Sequence, residues 1–180
     1  GPSTSEPPRI WQMLGNNEVA AYNVPSGIMF DLMREAAAKR PGVITKVGLD
    51  TFVDLDQEGC AMNGAAAAAP IVRKIEFDGE DWLYFPSIVP HVAIIRGSVC
   101  DERGNLSFGQ EGAYLGAMEL ALAAHNNGGI VIAQVRQVAE NETIKPHDVR
   151  VPGILIDYIV EESAQWQTTQ TPYDPAISGE

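Results

Sequence analysis

Between Glu18 and Arg34 (EVAAYNVPSGIMFDLMR) the apolar positions change period. Val19, Ala20, Ala21 and Tyr22 make a short continuous apolar run that predicts a buried strand, and Pro25, Ser26 and Gly27 break it. Beyond Gly27 the spacing is helical, through Ile28, Phe30, Leu32, Met33 and Ala37, with an end near Lys39-Arg40 ahead of Pro41-Gly42. Residues 9–14 predict a short helix stopped at Gly15-Asn16, and from Gly42 to Pro70 the period weakens. A stretch that long without period is either a functional loop or a surface segment. Two alternating runs, 72–77 and 82–85, flank Asp78-Gly79 and predict a hairpin. A strand at 91–96 (HVAIIR), a turn at 102–105 and a helix from Gly112 to Ala124 follow, the helix with Leu115, Met118 and Leu122 on one face. Asn126-Asn127-Gly128-Gly129 ends that helix, and 130–135 (IVIAQV) and 154–160 (ILIDYIV) predict two strongly apolar strands.

Strands this apolar without strict alternation belong in a sheet covered on both faces. With helices between them, the expectation is an α/β domain: an open, mostly parallel sheet with helices on both faces. Residues 1–8 read as a flexible start or a cloning scar, 9–160 as the α/β segment and the Gln/Thr/Pro-rich 161–180 as a linker.

Composition narrows the function. Of the 180 residues 45% are hydrophobic, enough for a real core. A net charge of -12 and the lack of a Lys/Arg run argue against a nucleic-acid partner. An anionic ligand must therefore be held locally, by backbone amides or a few placed cations. No apolar run approaches the ~20 residues of a membrane span. Cys60 and Cys100 sit in no CxxC pair and read as reduced, intracellular thiols.

The candidate chemistry is sparse. The strand–turn–helix junction offers an anion or carbonyl site: unpaired N–H groups at a helix start, Gly27 for close backbone approach, Ser26 as an N-cap. Ser26 as nothing more than a cap is an equal reading. Asp50, Asp54, Asp56 and Glu58 cluster in the long loop but lack calcium-loop spacing, so a solvated acidic loop is the better reading and no metal is expected. Ser26, Ser87, Ser98 and Ser107 lie in no G-x-S-x-G frame, and neither phosphate-loop pattern occurs. Cys100 reads as a small core residue. His91 and His125 read as structural, and His147, in KPHDVR, as exposed.

Several separated segments agree with one family. YNVPSGIMFDLMREAAAKRPGVITKVGLDTFVD, CDERGNLSF, HNNGGIVIAQV, VRVPGILIDYIV and the terminal YDPAISGE resemble, in the same order, the family I coenzyme A transferases of the fused acetate, propionate and 3-oxoacid type. The resemblance covers nearly all of 9–180 and is to the later part of the N-terminal half. It implies transfer of CoA from an acyl-CoA to a short carboxylic acid through a glutamyl–CoA thioester, with CoA as substrate and no permanently bound cofactor. The family's E-[NT]-G glutamate motif and its GGFGxxGxP turn are absent, so no catalytic residue is expected in this chain, and the partners implied are acyl-CoA, a small carboxylate and the remainder of the enzyme. Ser26 stands where many members have the Gln of PQG. The resemblance places Asn23, Ser26, Gly27 and Met29 on the acyl or oxyanion side, Thr51, Phe52, Gly59 and Cys60 in the lining of the acyl pocket, and Glu111 at an acidic position that opens a helix. Short-chain acid or ketone-body metabolism, a cytoplasmic location and a homo-oligomer follow as expectations. A non-catalytic acyl-CoA or carboxylate-binding domain is the alternative.

Overall fold

The computed structural model describes residues 9–167 and 172–179; the expected flexible start at 1–8 lies outside them. The chain forms two compact units, one holding the chain up to Leu32 with Pro41–Ser87, the other Met33–Arg40 with the chain from Ile88 onward.

The first unit carries α1 (Arg9–Gly15), the opening turns of α2 (Ser26–Ala37), β1 (Gly42–Thr45), the short α3 (Gly64–Ala67), β2 (Arg73–Phe77) and β3 (Glu80–Pro86). Its sheet is antiparallel in the order β1-β3-β2. The hairpin expected at Asp78-Gly79 is there, with both residues left-handed (φ 55° and 76°), the geometry that matches strand twist. β1 was hidden in the stretch of weak period. It is marked by Gly42, where a Cβ would strike the Phe85 carbonyl across the pair.

The strand expected at 19–22 does not form. Tyr22 makes a single antiparallel bridge to Ala61. The Asn63 amide takes the place of a ladder: its Oδ1 accepts from Ala21 N (3.2 Å) and Ala66 N (3.0 Å), and its Nδ2 donates to Leu14 O (2.9 Å) and Val19 O (2.8 Å). One side chain thus satisfies backbone groups on both sides of the turn, which the apolar pattern cannot reveal.

The second unit carries β4 (Val92–Arg96), β5 (Val99–Asp101), β6 (Leu106–Ser107), α4 (Ala117–Asn126), β7 (Ile130–Val135), β8 (Gln137–Ala139), β9 (Val149–Val151), β10 (Tyr158–Glu161) and α5 (Pro175–Ser178). A parallel sheet runs β10-β7-β4, and a mixed sheet runs β8-β5-β6-β9. Ala121 and Ala124 of α4 share a buried core with Ala93, Ile95, Val131, Ala133 and Val135 on one face of the parallel sheet, and Cys100, Leu106 and Val151 extend it. The end of α2 joins this unit: Asn126 and Asn127 donate to Ala37 O and Ala36 O (2.9 Å each), and Arg34 pairs with Glu119 at 3.0 Å. The α/β class with open sheets is as the sequence predicts, with the strands distributed over three small sheets.

Two boundaries differ from expectation. The helix expected from Gly112 starts at Ala117, because Leu115 (φ 46°) and Gly116 (φ 72°) are both left-handed, and Leu115 is 79% exposed rather than on the buried face. The apolar run at 154–160 is not one strand. Residues Gly153–Leu155 form a 3-10 turn, Gly153 lying against the Arg103 carbonyl and donating to Asn105 Oδ1 at 3.1 Å, and β10 begins only at Tyr158.

Candidate functional site

The helix start sits one residue earlier than Ser26 as the cap would give. The Pro25 carbonyl accepts the first helical bond, from Met29 N at 3.1 Å, so Pro25 caps α2 and Ser26 is its first helical residue. A fixed proline φ suits an approach to a helix, and it leaves the first-turn amides of Ser26 and Gly27 outside the i→i−4 ladder. Asn23, Ser26 and Gly27 are exposed and Met29 is half-buried. A Cβ built on Gly27 meets nothing within 4 Å, so the space in front of the helix start is open.

The 48–60 loop is a stack of turns built on one buried carboxylate. Asp54 accepts from Asp50 N (3.0 Å) and Asp56 N (3.1 Å), and Lys74 Nζ lies 3.5 Å away. Those amide bonds, Asp50's first, and the Lys74 ammonium outweigh burial and hold the Asp54 carboxyl below the usual range. Its carbonyl closes the next turn, accepting from Gln57 N and Gly59 N at 3.0 Å. Thr51 Oγ1 donates to Gly48 O (2.7 Å) and accepts from Val53 N (3.3 Å), leaving Phe52 exposed between them. Gly59 and Cys60 are both left-handed (φ 59° and 65°), which turns the chain back on itself.

That turn brings candidates together. Cys60 N donates to Phe52 O (3.0 Å) and Cys60 O accepts from Asn23 N (2.8 Å), so Phe52, Cys60 and Asn23 are joined backbone to backbone, three residues before Ser26. The Cys60 thiol faces inward, its Sγ 3.8 Å from Val53 O, and burial pushes its pKa up. The acidic cluster serves the loop itself: Asp54 organises it and Asp56 binds Lys74 at 2.6 Å. Among the described residues no group of three or more His, Cys, Asp or Glu is placed to hold a metal ion.

Glu111 lies in the second unit and does not open a helix, which corrects the expectation; α4 starts six residues on. Its carboxylate is nearly buried and pairs with Arg96 at 2.6 Å. The Arg96 guanidinium also donates to Gln167 O, Gln165 Nε2 donates to Gly97 O (2.8 Å), and Gln167 Nε2 donates to Gln110 O (2.7 Å). This polar floor ends a groove of about 630 Å³ walled by Ile94, Phe108, Tyr114, Leu120 and Ile177. Sequence reading missed Arg96, Gln165 and Gln167. Arg96 at the carboxyl end of a parallel strand was the available signal, since ligands of open α/β sheets collect there; the glutamines sit in the segment read as linker.

Two serines of the first survey have structural partners, Ser98 Oγ accepting from Gln110 N (2.8 Å) and Ser107 Oγ donating to Val99 O (3.0 Å), whereas the buried Ser87 Oγ has no hydrogen-bond partner among the described residues. Cys100 is fully buried, as expected of a core residue, and burial, with Asp101 and Glu161, raises its pKa to about 11.

Residues 3–162 match the family model described as coenzyme A transferase. Over 165 residues the chain is 46% identical to the caffeate CoA-transferase of Acetobacterium woodii, covering 90% of this chain and 31% of that protein. It superposes with a TM-score of 0.87 and 39% identity on the acyl-CoA transferase YdiF of E. coli O157:H7, solved as a thioester complex with CoA, covering 95% of this chain and 33% of that one. The acetoacetyl-CoA:acetate/butyrate CoA transferase alpha subunit of Clostridium acetobutylicum is 28% identical over 162 residues, 87% of this chain and 63% of that subunit. The chain thus spans about a third of the length of the first two.

Proposed function

Because the chain belongs to the coenzyme A transferase family, we propose that it is the part of an acyl-CoA:carboxylate CoA-transferase that forms the acyl side of the active site. The observation that carries this is the superposition on a 39% identical transferase solved as a CoA thioester complex. In the proposed reaction a glutamate outside these 180 residues attacks the thioester carbonyl and expels CoA as thiolate, leaving an acyl–glutamyl anhydride. The thiolate attacks the glutamyl carbonyl, the donor acid departs as carboxylate, and an enzyme glutamyl–CoA thioester remains. The acceptor acid reverses both steps. CoA is a substrate here and the reaction needs no permanently bound cofactor.

In this chain the Ser26 and Gly27 amides, in the first turn of α2 beside the open space at Gly27, suit the oxyanion that develops on the acyl carbonyl. The Ser26 hydroxyl stands beside them, shorter than an amide side chain and with one donor instead of two. The loop joined through Asn23–Cys60–Phe52 supplies the neighbouring wall, with exposed Phe52 as its apolar surface and Thr51, Gly59 and Met29 around it. Glu111 acts through Arg96 in the second unit. The reading extends to short-chain or ketone-body acids as substrates, to a homo-oligomer and to a cytoplasmic location, which the two free buried thiols favour.

The test is borohydride trapping on the full-length protein. Incubation with an acyl-CoA and then borohydride should convert one glutamate to its alcohol and abolish transfer, and addition of the acceptor acid beforehand should protect it. Binding of acyl-CoA with no modified glutamate would overturn the enzyme reading in favour of the non-catalytic binding domain. Gly27→Ala tests the helix start: with open space and an ordinary helical φ it should leave stability unchanged or raise it by up to about 1 kcal/mol, while lowering transfer. Unchanged transfer would remove Gly27 from the site.

A further inference from the structure

The run from Val19 to Asn23 leads into α2 without a strand ladder to hold it. Its backbone is tied to the 60–63 turn instead: Met62 N donates to Ala21 O and Asn23 N donates to Cys60 O, both at 2.8 Å. The Tyr22 hydroxyl donates to Ala69 O just beyond that turn. Asn63 completes the attachment, its Oδ1 accepting from Ala21 N (3.2 Å) and its Nδ2 donating to Val19 O (2.8 Å). The same amide accepts from Ala66 N (3.0 Å) as the N-cap of α3 and donates to Leu14 O (2.9 Å) in α1.

Capping accounts for the Ala66 bond alone, and a serine or aspartate would make it equally well. Reaching Val19 O and Leu14 O as well takes two N–H donors on the same group as the acceptor, which a carboxylate or a hydroxyl does not have. The amide therefore does more than start a helix of four residues. It fixes the run that carries the chain to α2. Only Val24 and Pro25 lie between Asn23 and Ser26, and the proline has its φ fixed by its ring. Where residues 19–23 are held thus sets where the Ser26 and Gly27 amides stand.

We propose that Asn63 is a positioning residue of the acyl side: through the backbone of residues 19–23 it holds the first-turn amides of α2 where the oxyanion develops. The proposal rests on the transfer reaction and on those amides as its donors. Asn63 itself touches no reacting atom. Such donors contribute most when they are aligned before the charge appears, and a displacement of about 1 Å can cost on the order of 10²-fold in rate.

Asn63→Asp in the full-length protein tests it. The change keeps the size of the side chain and an acceptor for Ala21 N and Ala66 N, but it turns carboxylate oxygen toward the Leu14 and Val19 carbonyls. Rates are counted per glutamate that borohydride can trap, so a smaller folded fraction does not register. The kcat per trapped glutamate should fall about 10-fold or more while the KM for acyl-CoA stays within about two-fold, the split expected of an interaction made in the transition state. Asn17→Ala is the control. It removes the acceptor of Ala65 N (3.2 Å) at the same corner of α3 and should leave kcat per site unchanged. If Asn63→Asp does not fold, Asn63→Ser keeps a capping oxygen with one donor in place of two, and the same fall is expected. An unchanged kcat per trapped glutamate would overturn the proposal. An equal fall in Asn17→Ala would overturn it too, by assigning the effect to the corner as a whole. Absence of any trapped glutamate in the unchanged protein is a separate failure, that of the transfer reaction, and it removes this proposal with it.

Discussion

Asp54 in the first unit and Asp101 in the second each bury a carboxylate inside a turn, but they balance its charge differently. Asp54 takes two backbone amides and has Lys74 at 3.5 Å. Asp101 takes Arg103 N (3.0 Å), Asn105 N (2.9 Å) and Asn105 Nδ2 (2.8 Å), all from neutral groups. Both are essentially inaccessible to water. A buried carboxylate can thus be held either by a cation that also serves exposed neighbours or by a closed ring of short-range donors, and the second arrangement has no substitute when it is broken.

The largest expected effect follows from that difference. Asp101→Ala leaves three donors without an acceptor in a turn whose Asn105 also anchors Gly153, and it should cost about 3 kcal/mol, read as a lowered urea midpoint. Asp54→Ala should cost less, about 2 kcal/mol, because Lys74 keeps Asp56 at 2.6 Å and lies 3.8 Å from Asp81. Equal losses would mean that the cation contributes nothing that the donor ring lacks. In the full-length protein Asp54→Ala should also raise the KM for the acyl substrate, since the loop it organises carries Phe52 and Cys60, whereas Asp101→Ala should not.

The two turns also differ in how far they can be read from sequence. CDERGNLSF declares its turn, because Asp, Gly and Asn lie between short apolar runs. The 48–60 turns have no such frame. They are held by backbone bonds and by one aspartate whose neighbours are also acidic, so Asp54 looks like its solvated companions Asp50 and Asp56 until burial separates them. The same limit runs through the fold. HVAIIR, IVIAQV and the Asp78-Gly79 hairpin were legible because period and turn chemistry agree there. The strands of two or three residues, β5, β6, β8 and β9, are too short to show a period at all. The missed helix start depends on Leu115 adopting a left-handed φ, which leucine's own preferences oppose. At the candidate site the switch to helical spacing placed Ser26 and Gly27 at a helix start, although the strand expected before them does not form, but the links among Asn23, Phe52 and Cys60 run through backbone atoms, and backbone pairing leaves no mark on side-chain identity.

Changing pH acts on both turns in one direction. For Asp54, amide bonds led by that of Asp50 hold the carboxyl below its ordinary value; for Asp101, burial raises it but the Asn105 and Arg103 donors prevail and lower it. The unfolded chain therefore binds protons that the folded chain does not, and their stabilisation is complete above the unfolded value and lost as pH falls through the folded ones. An acid limb should begin near pH 5 and steepen below 4, and each alanine variant should flatten it. Cys100 gives the opposite limb. Its folded value is raised from 9.0 to about 11, so its contribution is complete below pH 9 and declines as pH rises toward 11. Cys100→Ala should flatten that alkaline limb and leave the acid one unchanged, and in the native protein the thiol should react with a thiol reagent at the rate of global or local unfolding.

The smallest effect isolates the cation. The Arg103 side chain, two residues from Asp101 in sequence, has Glu142 as its ion-pair partner among the described residues, at 3.8 Å with both side chains mostly exposed, so Arg103→Ala should change stability by less than about 0.5 kcal/mol. Lys74→Ala should lower the urea midpoint more than Arg103→Ala does, and in a double-mutant cycle it should couple to Asp54. If Arg103 couples to Asp101 as strongly as Lys74 couples to Asp54, the distinction between the two turns collapses, because Asp101 would then also depend on a charge the geometry does not give it. If neither couples, Lys74 serves the exposed Asp56 and Asp81, and the lowered pKa of Asp54 comes from its two amides.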